Sequence, residues 1–170
     1  MTTHLTEVDS AELAETIAYT AIRRLQHRYA DAITRRAWAD LDAILAEDCT
    51  LSLDLGDQTR TVDGRASIAA FISSAVERFS FFEFALLSTV IEIDGDEAHS
   101  RLWMAELRQN ADDGRRTTAF GVYHDRLVRS PSGWRFVERR YASVSRTAEP
   151  DHPNDQLVFN PPMLDLDGWS

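Results

Sequence analysis

Cysteine is almost missing from this chain. Cys49 is the only one in 170 residues, which excludes an intrachain disulfide and a cysteine-ligated zinc site. Glycine is sparse, and its seven copies are scattered at turns rather than gathered into a phosphate-cradling loop. No apolar run approaches the roughly 20 residues of a membrane-spanning helix. The opening MTTHLTEVDSAELAE lacks a basic start followed by an apolar core, so no secretory leader is read there. Bases are also short, 18 against 28 acids, for a net charge of −10. That sign disfavours a nucleic-acid partner or an anionic membrane, both of which select a basic surface. The expected setting is the cytoplasm, with neither nucleic acid nor membrane as a partner.

What is present is an ordinary globular balance in a length that suits one domain with a real core. From Ser10 to Arg36, Leu13, Ile17, Ala21, Ile22, Leu25, Tyr29 and Ile33 recur at spacings of three and four, which predicts one long amphipathic helix. Trp38 to Ala46 reads as a short second helix. Thr50 to Asp54 reads as a strand, TRTVDG as another, and Arg65 to Arg78 as a third helix opened by Gly64. The period then changes to two. EFALLSTVIEI, EAHSRLWMAELRQN, RTTAFGVYHDRLVR and WRFVERRYASVSR form a meander, with a hairpin turn at Asp94–Asp96 and another at Ser130–Gly133. Four of the five prolines follow Thr147, among the apolar anchors Leu157, Phe159, Met163, Leu164 and Trp169. Residues 1–146 are therefore expected to form one domain. Residues 147–170 are expected to form a tail packing on the body or on a partner subunit.

Helices first and an antiparallel meander second give an α+β fold. A strongly curved sheet wrapped against a long helix and two shorter ones makes a cone-shaped barrel, whose mouth is a natural small-molecule site. RYADAITRRAW in the first helix, EIDGDEA at the hairpin, GVYHDRLVR and GWRFVERR carry a resemblance in their order and spacing. Together they resemble the SnoaL-like branch of the nuclear-transport-factor-2-like superfamily, over roughly residues 17 to 146. That branch holds polyketide cyclases, scytalone and bile-acid dehydratases, and distant limonene epoxide hydrolase relatives. The resemblance implies a cofactor-free pocket for a hydrophobic small molecule. The scaffold hosts many chemistries, so the site must decide among them.

Helical geometry sorts the first helix. At 3.6 residues per turn, His27 and Asp31 lie about 160° and about 200° round from Tyr29, on the solvent side. Tyr29 sits on the apolar stripe, either as a core tyrosine bonded to a backbone carbonyl or as a pocket donor. The resemblance places a helix-end carboxylate of the dehydratases at Thr34 and their strand histidines at Glu83 and about Arg108, so ordinary histidine–aspartate dehydration lacks its groups here. Alternation on the third-from-last strand puts Leu102, Met104, Glu106 and Arg108 on one face. His99, Arg101, Trp103, Ala105 and Leu107 fall on the other. Glu83 adds a second carboxylate near Arg108 if its strand is in register. Tyr123 is a pocket residue by resemblance, with Gly121 leaving room beside it.

The candidate catalytic residues are thus Glu83, Glu106 and Arg108, and the candidate substrate-binding residues are Tyr29, Thr34 and Tyr123. An arginine held between acids orients a carboxylate or polarises a substrate oxygen. The competing reading is cross-strand ion pairing at the sheet edge. His99 and His124 fall on the convex face, no two histidines share a helix turn or a strand face, and no metal site is expected. Trp103, Phe120 and Val122 on that face suggest a homodimer or a higher homo-oligomer, and Asp125 and Arg126 read as structural ion-pair residues. Three functions are carried forward. They are a lyase, isomerase or cyclase acting by acid–base chemistry on a hydrophobic ring compound, an epoxide hydrolase, and a non-catalytic binder of a hydrophobic ligand.

Overall fold

A computed structural model describes residues 10–56 and 58–147. The expected tail, from residue 148 on, lies outside the described residues. The elements run α1 (Ser10–Thr34), a 3-10 turn (Trp38–Ala43), β1 (Leu45–Asp54), β2 (Thr59–Asp63), α2 (Arg65–Glu77), β3 (Phe79–Asp94), β4 (Glu97–Asn110), β5 (Arg116–Ser130) and β6 (Gly133–Arg146). Six strands form one sheet in the order β2-β1-β6-β5-β4-β3. All neighbours are antiparallel except β1 and β6, which run parallel. The sheet curls without closing, α1 packs on β3 and β6, and α2 packs on β1 and β2. The result is the cone-shaped α+β architecture, with its apolar core between the helices and the concave sheet face.

The long helix begins its burial late. Leu13 and Ile17 are 51% and 61% exposed, and the buried stripe starts at Ala18 and runs through Ile22, Leu25, Tyr29 and Ile33. The helix stops at Thr34, two residues short of expectation, because Arg36 takes a left-handed φ of 58°. The Arg36 guanidinium then donates to the Phe79 carbonyl and ties the end of α1 to the start of β3. The expected helix over Trp38 to Ala46 is only a 3-10 turn to Ala43, and β1 begins at Leu45 rather than Thr50. Apolar spacing at Leu41, Ile44 and Leu45 suits either conformation, and pairing of Leu45 with Phe136 of β6 decides for the strand.

The third long element also begins earlier than its alternation suggested. A register irregularity between Phe79 and Phe81 breaks the period of two, so Phe79, Phe82 and Phe84 are all buried. On the convex face, Val122 is already fully covered within the single chain and offers nothing to a partner. Trp103 is half-buried there, while Leu107 and Phe120 stay about 40% exposed. No helix among the described residues is long and apolar enough to cross a membrane.

Candidate active site

A cavity of about 320 Å³ opens between the concave sheet face, the C-terminal half of α1 and the inner side of α2. Tyr29 and Ile33 reach it from α1, and Phe71, Ile72 and Val76 from α2. Phe79, Phe82 and Phe84 of β3 form one aromatic wall. Most polar groups come from the sheet, Glu106 and Arg108 of β4, Tyr123 of β5, and Tyr141 and Arg146 of β6, while Ser74 and Arg78 add two from α2 and its C-terminal end. Such a chamber, apolar with a few convergent polar groups, is the usual form of a small-molecule site.

Glu106 and Arg108 point the same way, as alternation required, and Arg108 Nη1 donates to Glu106 Oε2 at 3.2 Å. Arg108 Nη2 donates to the Thr118 carbonyl at 3.0 Å, which fixes the guanidinium plane. Burial pushes the Glu106 carboxyl above the ordinary carboxylate range, against the pull of Arg108, Arg146 and Arg78. Glu106 is the only carboxylate among the described lining residues of the cavity. A carboxyl moved toward neutral pH is suited to taking and returning a proton.

Three tyrosines line the wall facing it. Tyr29 and Tyr123 share a side-chain hydrogen bond, and burial raises both phenols well away from ionisation at neutral pH. Tyr123 and Tyr141 pack with ring centroids 5.0 Å apart. Gly121 matters here, though not by leaving room beside Tyr123. A Cβ on Gly121 would meet the Tyr141 ring at 2.1 Å, so glycine is what lets that ring lie across β5.

Beneath the cavity is a fully buried ion pair that sequence reasoning assigned only in half. Asp125 reads from the sequence as an ion-pair residue, and its partner proves to be Arg139 of β6, with Nε–Oδ1 and Nη2–Oδ2 distances of 2.8 and 3.1 Å. The Arg139 guanidinium lies 4.0 Å from the Tyr29 ring centroid, 4.2 Å from Tyr123 and 4.3 Å from Phe136. Burial works against both charges, and their mutual attraction keeps Arg139 protonated. Ser100 bonds Asp125, Gln26 of α1 donates to Ser100 Oγ at 3.2 Å, and a polar chain therefore crosses the core from helix to sheet. Arg126 pairs separately with Glu97 at the surface. The opposite charges of Asp125 and Arg139 on strands that pair were the available signal, as Asp125 and Arg139 stand directly opposite in the register.

Two expected site residues stand elsewhere. Glu83 is exposed and pairs in register with Leu107, on the outward face, while its neighbours Phe82 and Phe84 oppose Arg108 and Glu106. An irregularity between Leu86 and Ser88 slips the register by one and moves Glu83 off Arg108, and Glu83 faces a shallow outer depression together with His27 and Asp31. Thr34 borders that same depression and accepts a hydrogen bond from the Phe84 backbone N–H at 3.0 Å, so its hydroxyl anchors β3 to the end of α1. His27 and Asp31 are exposed, and Asp31 pairs with Arg35 at 2.8 Å. On the convex face Arg101 Nε donates to His124 Nε2 at 3.3 Å.

Comparison with known proteins bears on the family and the fold. The SnoaL-like domain family matches residues 14–140. The protein Rv2910c of Mycobacterium tuberculosis is 31% identical over 121 residues, spanning 69% of this chain and 80% of its own. A type 2 hexachlorocyclohexane dehydrochlorinase, LinA, superposes with a TM-score of 0.69 at 15% identity, covering 83% of this chain and 99% of that one. A nuclear transport factor 2-like superfamily protein of Salmonella enterica serovar Typhimurium gives 0.68 at 18% identity, covering 81% and 99%. At such identities the structural likenesses speak to the fold.

Proposed function

We propose, from the premise that this chain belongs to the SnoaL-like domain family, that it is a cofactor-free lyase, isomerase or cyclase acting on a hydrophobic ring compound. The observation that carries this is the placement of Glu106. It is a single carboxylate, half-buried and raised in pKa, held by Arg108 in the wall of an otherwise aromatic chamber.

In this reading the ring compound lies against Phe79, Phe82 and Phe84, and the chamber excludes water from the reacting carbon. Glu106 removes a proton from a carbon next to a carbonyl, or beside a leaving group. Negative charge that develops on the substrate oxygen meets N–H donors of Arg108 and the hydroxyls of the tyrosine wall. Protonated Glu106 then returns the proton elsewhere on the ring for isomerisation, or to the leaving group for elimination. A neighbour in fold named for dehydrochlorinating hexachlorocyclohexane lends support, since that is an elimination on an apolar ring.

The test is turnover across ring ketones, hydroxy ketones and epoxides by wild type and Glu106→Gln, with ligand affinity measured alongside. The reading expects turnover of a ketone or hydroxy ketone that Glu106→Gln loses by at least a hundredfold while affinity stays within a few-fold. Epoxide opening alone would assign the hydrolase reading. A second reading, a binder without chemistry, is favoured by one observation: the cavity-facing positions of β3 are all phenylalanine, so among the described lining residues no second carboxylate and no histidine accompanies Glu106. Tight ligand binding with no turnover by wild type would establish it. A homodimer through the half-exposed apolar convex face, and a cytoplasmic setting, belong to the same proposal.

A further inference from the structure

A second, polar hollow of about 480 Å³ adjoins the chamber and shares Arg78, Phe79, Arg108 and Arg146 with its lining. Arg78, Arg108, Arg115 and Arg146 all border this mouth, and Asp112 is the only acid among its described lining residues. Four arginines against one acid stand out in a chain of net charge −10. The Phe79 ring sits between two of them, with the Arg78 and Arg108 guanidinium carbons 4.8 and 5.3 Å from its centroid.

Arg108 carries the strongest sign of a missing occupant. Its side chain is only 9% exposed, and its Nε has no hydrogen-bond partner although two of its other nitrogens are engaged. Thr117, its register partner on β5, also lines the mouth, and its buried hydroxyl likewise has no partner. Buried donors without acceptors are costly and rare in folded proteins. Arg146 and Arg78 also press on Arg108 with like charge, which an anion placed among them would relieve.

We infer that this mouth is an oxyanion subsite, in which Arg78, Arg108 and Arg146 hold the carboxylate of a substrate whose apolar ring occupies the chamber. Planar guanidinium forks suit a carboxylate bidentately, and a phosphate ester offers the same chemistry with more charge. Arg108 touches both the subsite and Glu106, so an anion held there registers the ring against the carboxylate. The substrate class is accordingly an aryl or alicyclic acid. This rests on the reading of the chamber as a ligand site, and it adds what the chamber alone does not specify.

The experiment is calorimetric titration of the full chain with 2-naphthoate, 2-naphthyl phosphate and neutral 2-naphthamide, at low and high salt. At least one anion should bind tenfold or more tightly than the amide. That preference should shrink as salt rises and vanish in Arg78→Gln/Arg146→Gln, whose two altered side chains are exposed and leave the core intact. The tighter of the two anions identifies the source of the oxyanion, and the assignment made here is the carboxylate. Equal affinity for amide and anions, or a preference that survives the double substitution, overturns the subsite and leaves the chamber standing. If none of the three compounds binds, the chamber reading itself fails and the subsite fails with it.

Discussion

Arg139 and Asp125 face each other across paired strands and join in a two-pronged ion pair with both side chains essentially inaccessible to water, at 1% and 0% exposure. On the guanidinium lie the rings of Tyr29 and Tyr123, so the pair fixes the floor on which the tyrosine wall stands. Removing one charge leaves the other buried without compensation, a loss of about 3–5 kcal/mol. Asp125→Asn should therefore lower the urea midpoint sharply. Asp125→Leu combined with Arg139→Met should lose distinctly less than the two single losses added together. Additive losses would mean that the two residues act independently.

Gly121 is a second point where geometry is stringent. An alanine there puts its methyl within the Tyr141 ring, and the ring must swing toward the cavity. Gly121→Ala should cost about 1–3 kcal/mol through overpacking, and should shrink the chamber enough to weaken binding of bicyclic aromatics. Thermal denaturation with a parallel binding titration checks both, and an unchanged melting temperature would show that Tyr141 has room to move.

His124 supplies a pH signature independent of the cavity. It is 2% exposed, and burial, with Arg101 and Arg140 nearby, lowers its pKa from 6.5 to about 4. The folded state thus holds it neutral, while the unfolded chain protonates it near its ordinary value. A depressed folded pKa means the stabilisation is present above pH 6.5 and is lost as pH falls through that value toward 4. His124→Asn should flatten the fall in stability between pH 7 and pH 5 by on the order of 2 kcal/mol. An unchanged slope would mean that His124 takes up its proton in the folded state as readily as in the unfolded chain.

The Glu106 carboxyl should titrate above a free glutamic acid when followed by carbon-13 NMR of labelled protein, because burial outweighs its three arginine neighbours. Arg146 is one of the groups pulling it down, so Arg146→Gln should move the titration further upward. A downward movement would show that the arginine is too distant or too screened to matter.

How much of this could be read beforehand follows from the kind of order involved. The long helix, the four-strand meander and the shared face of Glu106 and Arg108 rest on local periodicity, which the chain states directly. Tyr29 likewise followed from its place on the apolar stripe. Glu83 failed because an irregularity between Leu86 and Ser88 slips the β3–β4 register by one, so Phe82 and not Glu83 stands opposite Arg108, and a bulge leaves no mark in a pattern read residue by residue. Thr34 was matched to a carboxylate by resemblance, yet its hydroxyl is taken up by the Phe84 backbone. Arg139 and the arginine mouth escaped notice because they are assembled from residues distant in sequence, Arg78, Arg108 and Arg146, that only the curled sheet brings together.

The central claim is that Glu106 moves protons on a ring compound in the chamber. The most direct measurement is loss of α-deuterium from deuterated 2-tetralone in ordinary water, followed by NMR with wild type and Glu106→Gln. Wild type should accelerate the exchange well above buffer, and Glu106→Gln should fall to the buffer rate while still binding the ketone. Equal exchange rates for the two proteins would contradict the account.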